Sequence, residues 1–263
     1  MSGLSSIPPF KMHGNVYFVG SAAVSVHMID TEQGLVLIDT GYPNMYEQIL
    51  DSIATLGFDP KSITAIFHTH GHIDHYGCTR ELKALSGATT YVSRIDNDII
   101  NGRYDLSWAK ELGCERIPPF SCDVLLEDGD VFTFGSTTVR CVHTPGHTAG
   151  VMSYFITARD EKGDAFVAAM HGGIGTNSMR AEFLQSYGLS LDCRDRFREG
   201  LHRLASERVD LVLGNHPEQN ETKAKREAVL SGASILDAGE WQRFLITAEE
   251  ILDWLLKSEL TST

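Results

Sequence analysis

His68, His70, His72, Asp74 and His75 fall within eight consecutive residues, and imidazole and carboxylate at that density are donors for a borderline cation such as zinc. Read as His-x-His-x-Asp-His, the pattern falls on His70, His72, Asp74 and His75, with His68 one step outside it. A tightly turned loop lets His70 and His72 reach one metal ion. Asp74 and His75 then reach a second on the other side of the turn. Gly71 and Gly77 are expected to make that turn sterically cheap.

Two further histidines stand in comparable surroundings. Pro145 and Gly146 bend the chain just before His147, in the run from His143 to Thr148. His216 follows Gly214 and Asn215 just past another apolar stretch. The elements that must position these side chains are short strands. Ile63 to Phe67 is an apolar run ending at the metal loop, and Leu211 to Gly214 ends just before His216. Loops leaving the carboxyl ends of strands are where α/β folds build ligand sites.

Further strands are expected at Val16–Val19, Val24–Ile29, Leu35–Asp39, Thr90–Val92, Val124–Leu126, Val131–Phe134, Thr138–Val142, Met152–Ile156 and Phe166–Ala169. Helical spacing covers Met45–Leu56, Arg80–Leu85, Ile95–Ile100, Ala181–Tyr187, Arg194–Ser206, Thr222–Leu230 and Glu240–Lys257. Trp241, Phe244, Leu245, Ile251, Trp254 and Leu255 form a near-helical stripe read as a packing face. Asn101 to Phe120 carries no regular pattern and reads equally as a flap over a site or as connecting structure. Strands followed by helices, twice over, give an α/β fold: a pseudo-duplicated, four-layer αββα sandwich, in one domain over residues 1–263.

Composition narrows the function. Hydrophobic residues at 42% and charged residues at 22% are globular values, which argues against wholesale disorder. A formal charge of −13 disfavours nucleic acid or an anionic membrane as the partner and leaves a small-molecule substrate. No stretch reaches transmembrane length, and the residues from Met1 to Pro9 lack the basic and apolar regions of a secretory signal, so a cytoplasmic location is expected unless a signal has been removed. Five cysteines (Cys78, Cys114, Cys122, Cys141 and Cys193), without paired spacing, read as reduced thiols.

With these residues in view, the chain resembles the metallo-β-lactamase superfamily. The resemblance rests on Leu37 to Gly41, the metal loop, Thr144 to Thr148 and the final His216. Within the superfamily it is most similar to the di-zinc β-lactamase subclass whose ligands are five histidines and one aspartate, through Leu56 to Pro60, Glu81 to Lys83 and the segment from Glu127 to Asp130. The resemblance implies two zinc ions. One is held by His70, His72 and His147, the other by Asp74, His75 and His216, with a bridging hydroxide that attacks a carbonyl and Asp74 orienting it or shuttling a proton. Two adjacent cations acidify a shared water towards neutral pH, which agrees with this reading. The expected reaction is opening of a cyclic amide of the β-lactam kind or a related acyl bond. A lactonase or thioesterase on the same site is the alternative, and a metal-dependent oxidoreductase a more distant one.

The pattern departs from its relatives at one strand end. Met170 and His171 stand where many superfamily members carry a bridging aspartate. His171 is thus a candidate seventh ligand, hydrogen-bonding support or substrate contact. The following Gly172 to Asn177 has neither a lysine nor a serine pair for a substrate carboxylate, which leaves His171, Thr176 or Asn177 for that role. His68 and His143 read as supporting or packed histidines. His13, His27 and His202 show no partner in sequence and read as ordinary.

Overall fold

A computed structural model of the chain describes residues 7–261. Part of the N-terminal stretch read for a secretory signal, residues 1–6, lies outside the described residues. Among those described, no helix is long and apolar enough to cross a membrane.

The first sheet has seven strands in chain order: β1 (Phe10–His13), β2 (Val16–Phe18), β3 (His27–Thr31), β4 (Gly34–Ile38), β5 (Ile63–Phe67), β6 (Thr89–Ser93) and β7 (Val124–Leu126). Pairing is antiparallel from β1 to β4 and parallel from β4 to β7. The parallel steps are the ones bridged by helices, α1 (Tyr46–Thr55), α2 (Ile73–Tyr76), α3 (Thr79–Ser86) and α4 (Arg94–Ile100), as crossover connections require. The second sheet runs β12-β11-β10-β9-β8, from β8 (Val131–Phe134), β9 (Thr137–His143), β10 (Met152–Arg159), β11 (Ala165–Met170) and β12 (Leu211–Leu213). Around it lie α5 (Ala181–Ser186), α6 (Cys193–Leu204), α7 (Thr222–Leu230) and α8 (Glu240–Thr261).

Alternation along the strands explains the layers. Val36 and Ile38 of β4 join Ala65 and Phe67 of β5 in a core shared with Tyr154, Ile156, Ala168 and Met170 of the second sheet. Leu35, Leu37 and Ile66 point the other way, onto Ile49 and Ile53 of α1 and Leu82 of α3. Phe155, Ala169 and Val212 likewise face Phe197, Leu201 and Leu204 of α6 and Trp241 of α8. Strands buried on both faces read as unbroken apolar runs, and the result is two sheets face to face between helices.

Several expectations need correction. Strand β3 begins at His27, because Val19 and Val26 instead close a turn in which Ser21 N–H donates to Val24 C=O. Asp74 and His75 stand on the one-turn helix α2, so the metal loop is shorter than expected. The stripe on α8 is buried at Trp241, Phe244, Leu245 and Leu255 and continues through Ala248 and Leu252. Ile251, 41% exposed, and Trp254, 66% exposed, lie off it. Strand β1 was not foreseen. The irregular segment after α4 has no helix or strand up to β7, yet Ala109 and Cys122 pack with Ile73, Tyr76 and Ile100 in a small core of their own.

Gly71 and Gly77 are not conformational necessities, since neither takes a positive φ. Their role is close approach. A Cβ on Gly77 would lie 2.4 Å from Pro43 N and 2.6 Å from Gly41 C=O, where α2 abuts the loop after β4. Gly77→Ala is therefore expected to cost about 3 kcal/mol in urea unfolding, the upper end for overpacking. Gly87→Ala, at a positive φ of 75° with open space around it, should cost only about 1 kcal/mol.

Candidate metal centre

Three strand ends meet at one rim. His70 and His72 lie between β5 and α2, with Asp74 and His75 on α2; His147 comes from the β9–β10 loop and His216 follows β12. Donor atoms of His70, His72 and His147 all lie within 4.8 Å of one another, and so do those of Asp74, His75 and His216. The two groups adjoin: the rings of His70 and His75 are 4.2 Å apart. Asp74 Oδ2 is 3.5 Å from His75 Nε2 and 3.7 Å from His216 Nε2.

The contacts behind these rings fix which nitrogen faces the centre. Nδ1–H of His70 donates to Gly172 C=O at 2.8 Å, that of His147 to Gly175 C=O at 2.6 Å, and that of His216 to Ala23 C=O at 2.7 Å. His75 Nδ1–H donates to Asp39 Oδ2 at 2.8 Å. Each bond leaves Nε2 as the unprotonated nitrogen. His72 is held by stacking on Trp108, with ring centroids 5.3 Å apart. Nε2 of His70 is buried and has no hydrogen-bond partner among the described residues. An orphaned buried acceptor of this kind costs about 1–3 kcal/mol unless a further electron-pair acceptor is supplied, as by a cation. Nitrogen and carboxylate donors in threes fit zinc with coordination positions left open.

Electrostatics agree. Burial, reinforced by the neighbouring imidazoles, pushes the pKa of His70 and His72 well below the ordinary value, and burial takes His147 down to about 4. These rings stay neutral, as ligation requires. His75 behaves differently: burial opposes its charge, but the carboxylates of Asp74 and Asp39 outweigh that and raise its pKa.

The remaining candidates take other places. His68 is buried, with Nδ1–H donating to Tyr91 C=O and Nε2 meeting the Thr79 hydroxyl at 2.7 Å, and it joins neither group. His143 Nε2–H donates to Ala149 C=O, within the loop that carries His147. His171 is fully buried outside both groups. Its Nδ1 accepts from Gly173 N–H, and burial takes its pKa down to about 3. Thr176 is half-buried and Asn177 exposed. The side chain from that segment that does reach the site is Ser178, whose hydroxyl donates to His147 C=O at 2.7 Å.

Sequence reasoning missed the carboxylate behind His75. Asp39, fully buried at a φ of +63°, accepts from Thr69 N–H and the Thr69 hydroxyl, both at 2.8 Å, as well as from His75. Its signal was present: a carboxylate ends an otherwise apolar strand, where a lone charge needs a buried partner. His27, read as ordinary, donates from Nε2 to Gly214 C=O at 3.1 Å and so ties β3 to the turn before His216. Asp96 Oδ2 accepts from Gly71 N–H and the Thr148 hydroxyl, linking the loops that carry His72 and His147.

Two concavities flank this rim. The larger, about 960 Å³ between α7 and α8, is lined in part by Lys225, Asp237, Glu240 and Arg243 and touches none of the six candidate ligands. The smaller, about 350 Å³, includes His72 and His147 in its wall. Chemistry, not size, picks the second.

Comparison with known proteins agrees with this architecture. The pattern of the Metallo-beta-lactamase superfamily matches residues 19–160, more than half of the chain. BJP-1, a subclass B3 metallo-beta-lactamase of Bradyrhizobium japonicum, is 28% identical with a TM-score of 0.85, covering 98% of this chain and 96% of that one. Native FEZ-1 metallo-beta-lactamase of Legionella gormanii is 25% identical with a TM-score of 0.87, over 97% and 98% of the two chains. A hydroxyacylglutathione hydrolase of Gloeobacter violaceus is 36% identical over 107 residues, 40% of this chain and 34% of that protein. The matches to the first curated relatives thus span between 29% and 60% of their length. With this fold and these two clusters of donors, the chain belongs to the metallo-β-lactamase superfamily.

Proposed function

We propose that this chain is a di-zinc hydrolase that cleaves a cyclic amide of the β-lactam kind or a related acyl bond. The observation that carries the reading is the pair of three-donor groups, four of whose five imidazoles have Nδ1 tied back and Nε2 left for a cation. His70, His72 and His147 hold one ion; Asp74, His75 and His216 hold the other. Bound zinc would supply Lewis acidity for a carbonyl and would lower the pKa of a water towards neutrality. Asp74 is the one carboxylate among the six and the side chain placed to orient that water and take its proton. Trp108, stacked on His72, covers one face of that ring.

A thioesterase or lactonase is the second reading, supported by the similarity to hydroxyacylglutathione hydrolases. Against it stands Met170 at the end of β11. Its buried side chain belongs to the core between the sheets, and its sulfur lies 3.8 Å from Asn215 Nδ2. No carboxylate from that strand end joins either group among the described residues.

The deciding experiment loads the chain with zinc and assays β-lactams, lactones and thioesters side by side. Two equivalents of zinc and turnover of at least one class, abolished by chelation and restored by zinc, are expected. A protein loaded with two zinc ions yet inert towards all three classes would overturn the reading.

Stability of the metal-free chain should depend on pH with a definite sign. Burial lowers the pKa of His27 and His147 to about 4 and of His171 to about 3, and also depresses His68, His70 and His72. The unfolded chain therefore binds more protons below its histidine pKa of about 6.5, and stability falls as pH drops from there towards 4. His75, raised instead, offsets only part of this. The denaturation midpoint of chelated protein should drop by several kcal/mol equivalent between pH 7 and pH 5, and a flat profile would contradict the neutral burial of these rings.

Asp39→Asn keeps a residue that tolerates a positive φ but turns one acceptor oxygen into a donor facing Thr69 or His75. A tenfold to hundredfold loss of zinc affinity is expected, measured by competition with a chromogenic chelator.

A further inference from the structure

The 350 Å³ cavity is joined to one half of the centre only. His72 and His147 line it, whereas Asp74, His75 and His216 do not. Whatever occupies it is therefore attached on the side of the first donor group, the one that would bind a substrate carbonyl under the hydrolase reading.

Its walls state the chemistry of the occupant. Ile95 and Ile99 of α4 face Leu106, Phe183, Leu184 and Leu189 across it. Three ionisable carboxylate or guanidinium groups reach the lining, Asp96, Asp192 and Arg196. Asp96 spends Oδ2 on Gly71 N–H and the Thr148 hydroxyl. Arg196 is paired with Asp192 at 3.7 Å, one helical turn apart at the rim. Asp96 Oδ1 is buried with no hydrogen-bond partner among the described residues, so the buried lining offers a carboxylate and no cation, and an ionised acyl chain placed there would be unmatched and costly. At this volume the cavity falls within the range of small-molecule sites, which are mostly apolar.

We propose that this cavity receives the acyl portion of the substrate, an uncharged hydrocarbon chain or ring attached to the carbonyl that is cleaved. This rests on the hydrolase reading and names the substrate class on one side of the scissile bond. Each methylene taken from water into such a cavity favours binding by about fourfold, so selectivity grows with chain length until the cavity is full.

The test uses the zinc-loaded chain and thioesters of one thiol with acetyl, butyryl, hexanoyl and octanoyl groups, together with 1-octanol as a neutral binding probe followed by calorimetry. Specificity, as kcat/KM, should rise at least tenfold from acetyl to hexanoyl, and 1-octanol should bind with or without zinc. Ile95→Asp and Leu189→Asp change positions that are 47% and 38% exposed, so the core is spared. Each should cut octanoyl kcat/KM and 1-octanol binding at least tenfold, with a much smaller fall in acetyl kcat/KM and an unchanged melting temperature. Turnover that is independent of chain length, or octanol binding untouched by both variants, overturns the cavity assignment while hydrolysis stands. Octanol binding lost in the variants, but with no turnover of any acyl substrate, overturns the hydrolase reading and the acyl role with it.

Discussion

A neutral imidazole offers a cation one nitrogen, and everything at this centre depends on which nitrogen that is. Left alone, the ring exchanges tautomers and rotates, and five rings in so small a volume would present a mixture of lone pairs and N–H groups. The fold removes that freedom by placing an acceptor behind each of four rings: Gly172 and Gly175 carbonyls, the Ala23 carbonyl and the Asp39 carboxylate. Three of the four acceptors are backbone atoms. Their positions are set by the backbone and not by rotamers, which fixes the tautomers more firmly than side-chain acceptors would.

That arrangement explains the glycine-rich run after β11. Ring and backbone must come close enough to hydrogen-bond, and side chains would hold them apart. A Cβ on Gly173 would sit 2.9 Å from the His147 ring, and one on Gly172 would sit 2.0 Å from Met152 C=O. The segment that lacks the bridging carboxylate of many relatives thus serves as a rail of carbonyls. Asn215 is fastened to the same rail, donating from Nδ2 to Gly172 C=O at 3.2 Å. The ends of β11 and β12, parallel neighbours, are thereby locked together just where His216 departs.

How far the sequence discloses this depends on range. Strands buried on both faces announce themselves as apolar runs, and the donors cluster by type and spacing, so the layers and the six candidate ligands can be read from the chain alone. The supports are another matter. Asp39 meets His75 across 36 residues and Asp96 meets Thr148 across 52, and no local pattern encodes such partners. His171 drew attention for its place beside Met170; it lies outside both donor groups, with Nδ1 accepting from Gly173 N–H and Nε2 buried without a partner among the described residues. His27 was passed over because its partner, Gly214, is 187 residues away. Ile251 and Trp254 show the opposite error: both are apolar and near the helical spacing, but the buried face of α8 passes beside them through Ala248, Leu252 and Leu255.

The two halves of the centre are not equivalent, and the asymmetry bears on the proposed chemistry. His70, His72 and His147 are three neutral donors, which leave the charge of a bound dication uncompensated and suit that side to drawing electron density from a carbonyl. Asp74 brings a negative charge to the other group, and Asp39 places a second directly behind His75. That side is therefore the less electrophilic one and the richer in proton acceptors. The apolar cavity opens beside the neutral group and away from both carboxylates, so a hydrocarbon acyl group and its carbonyl would meet the stronger Lewis acid together. On the proposed hydrolase reading, carbonyl activation and proton handling would be separated across the 4.2 Å between the rings of His70 and His75, a separation that follows from which donor group carries the carboxylate.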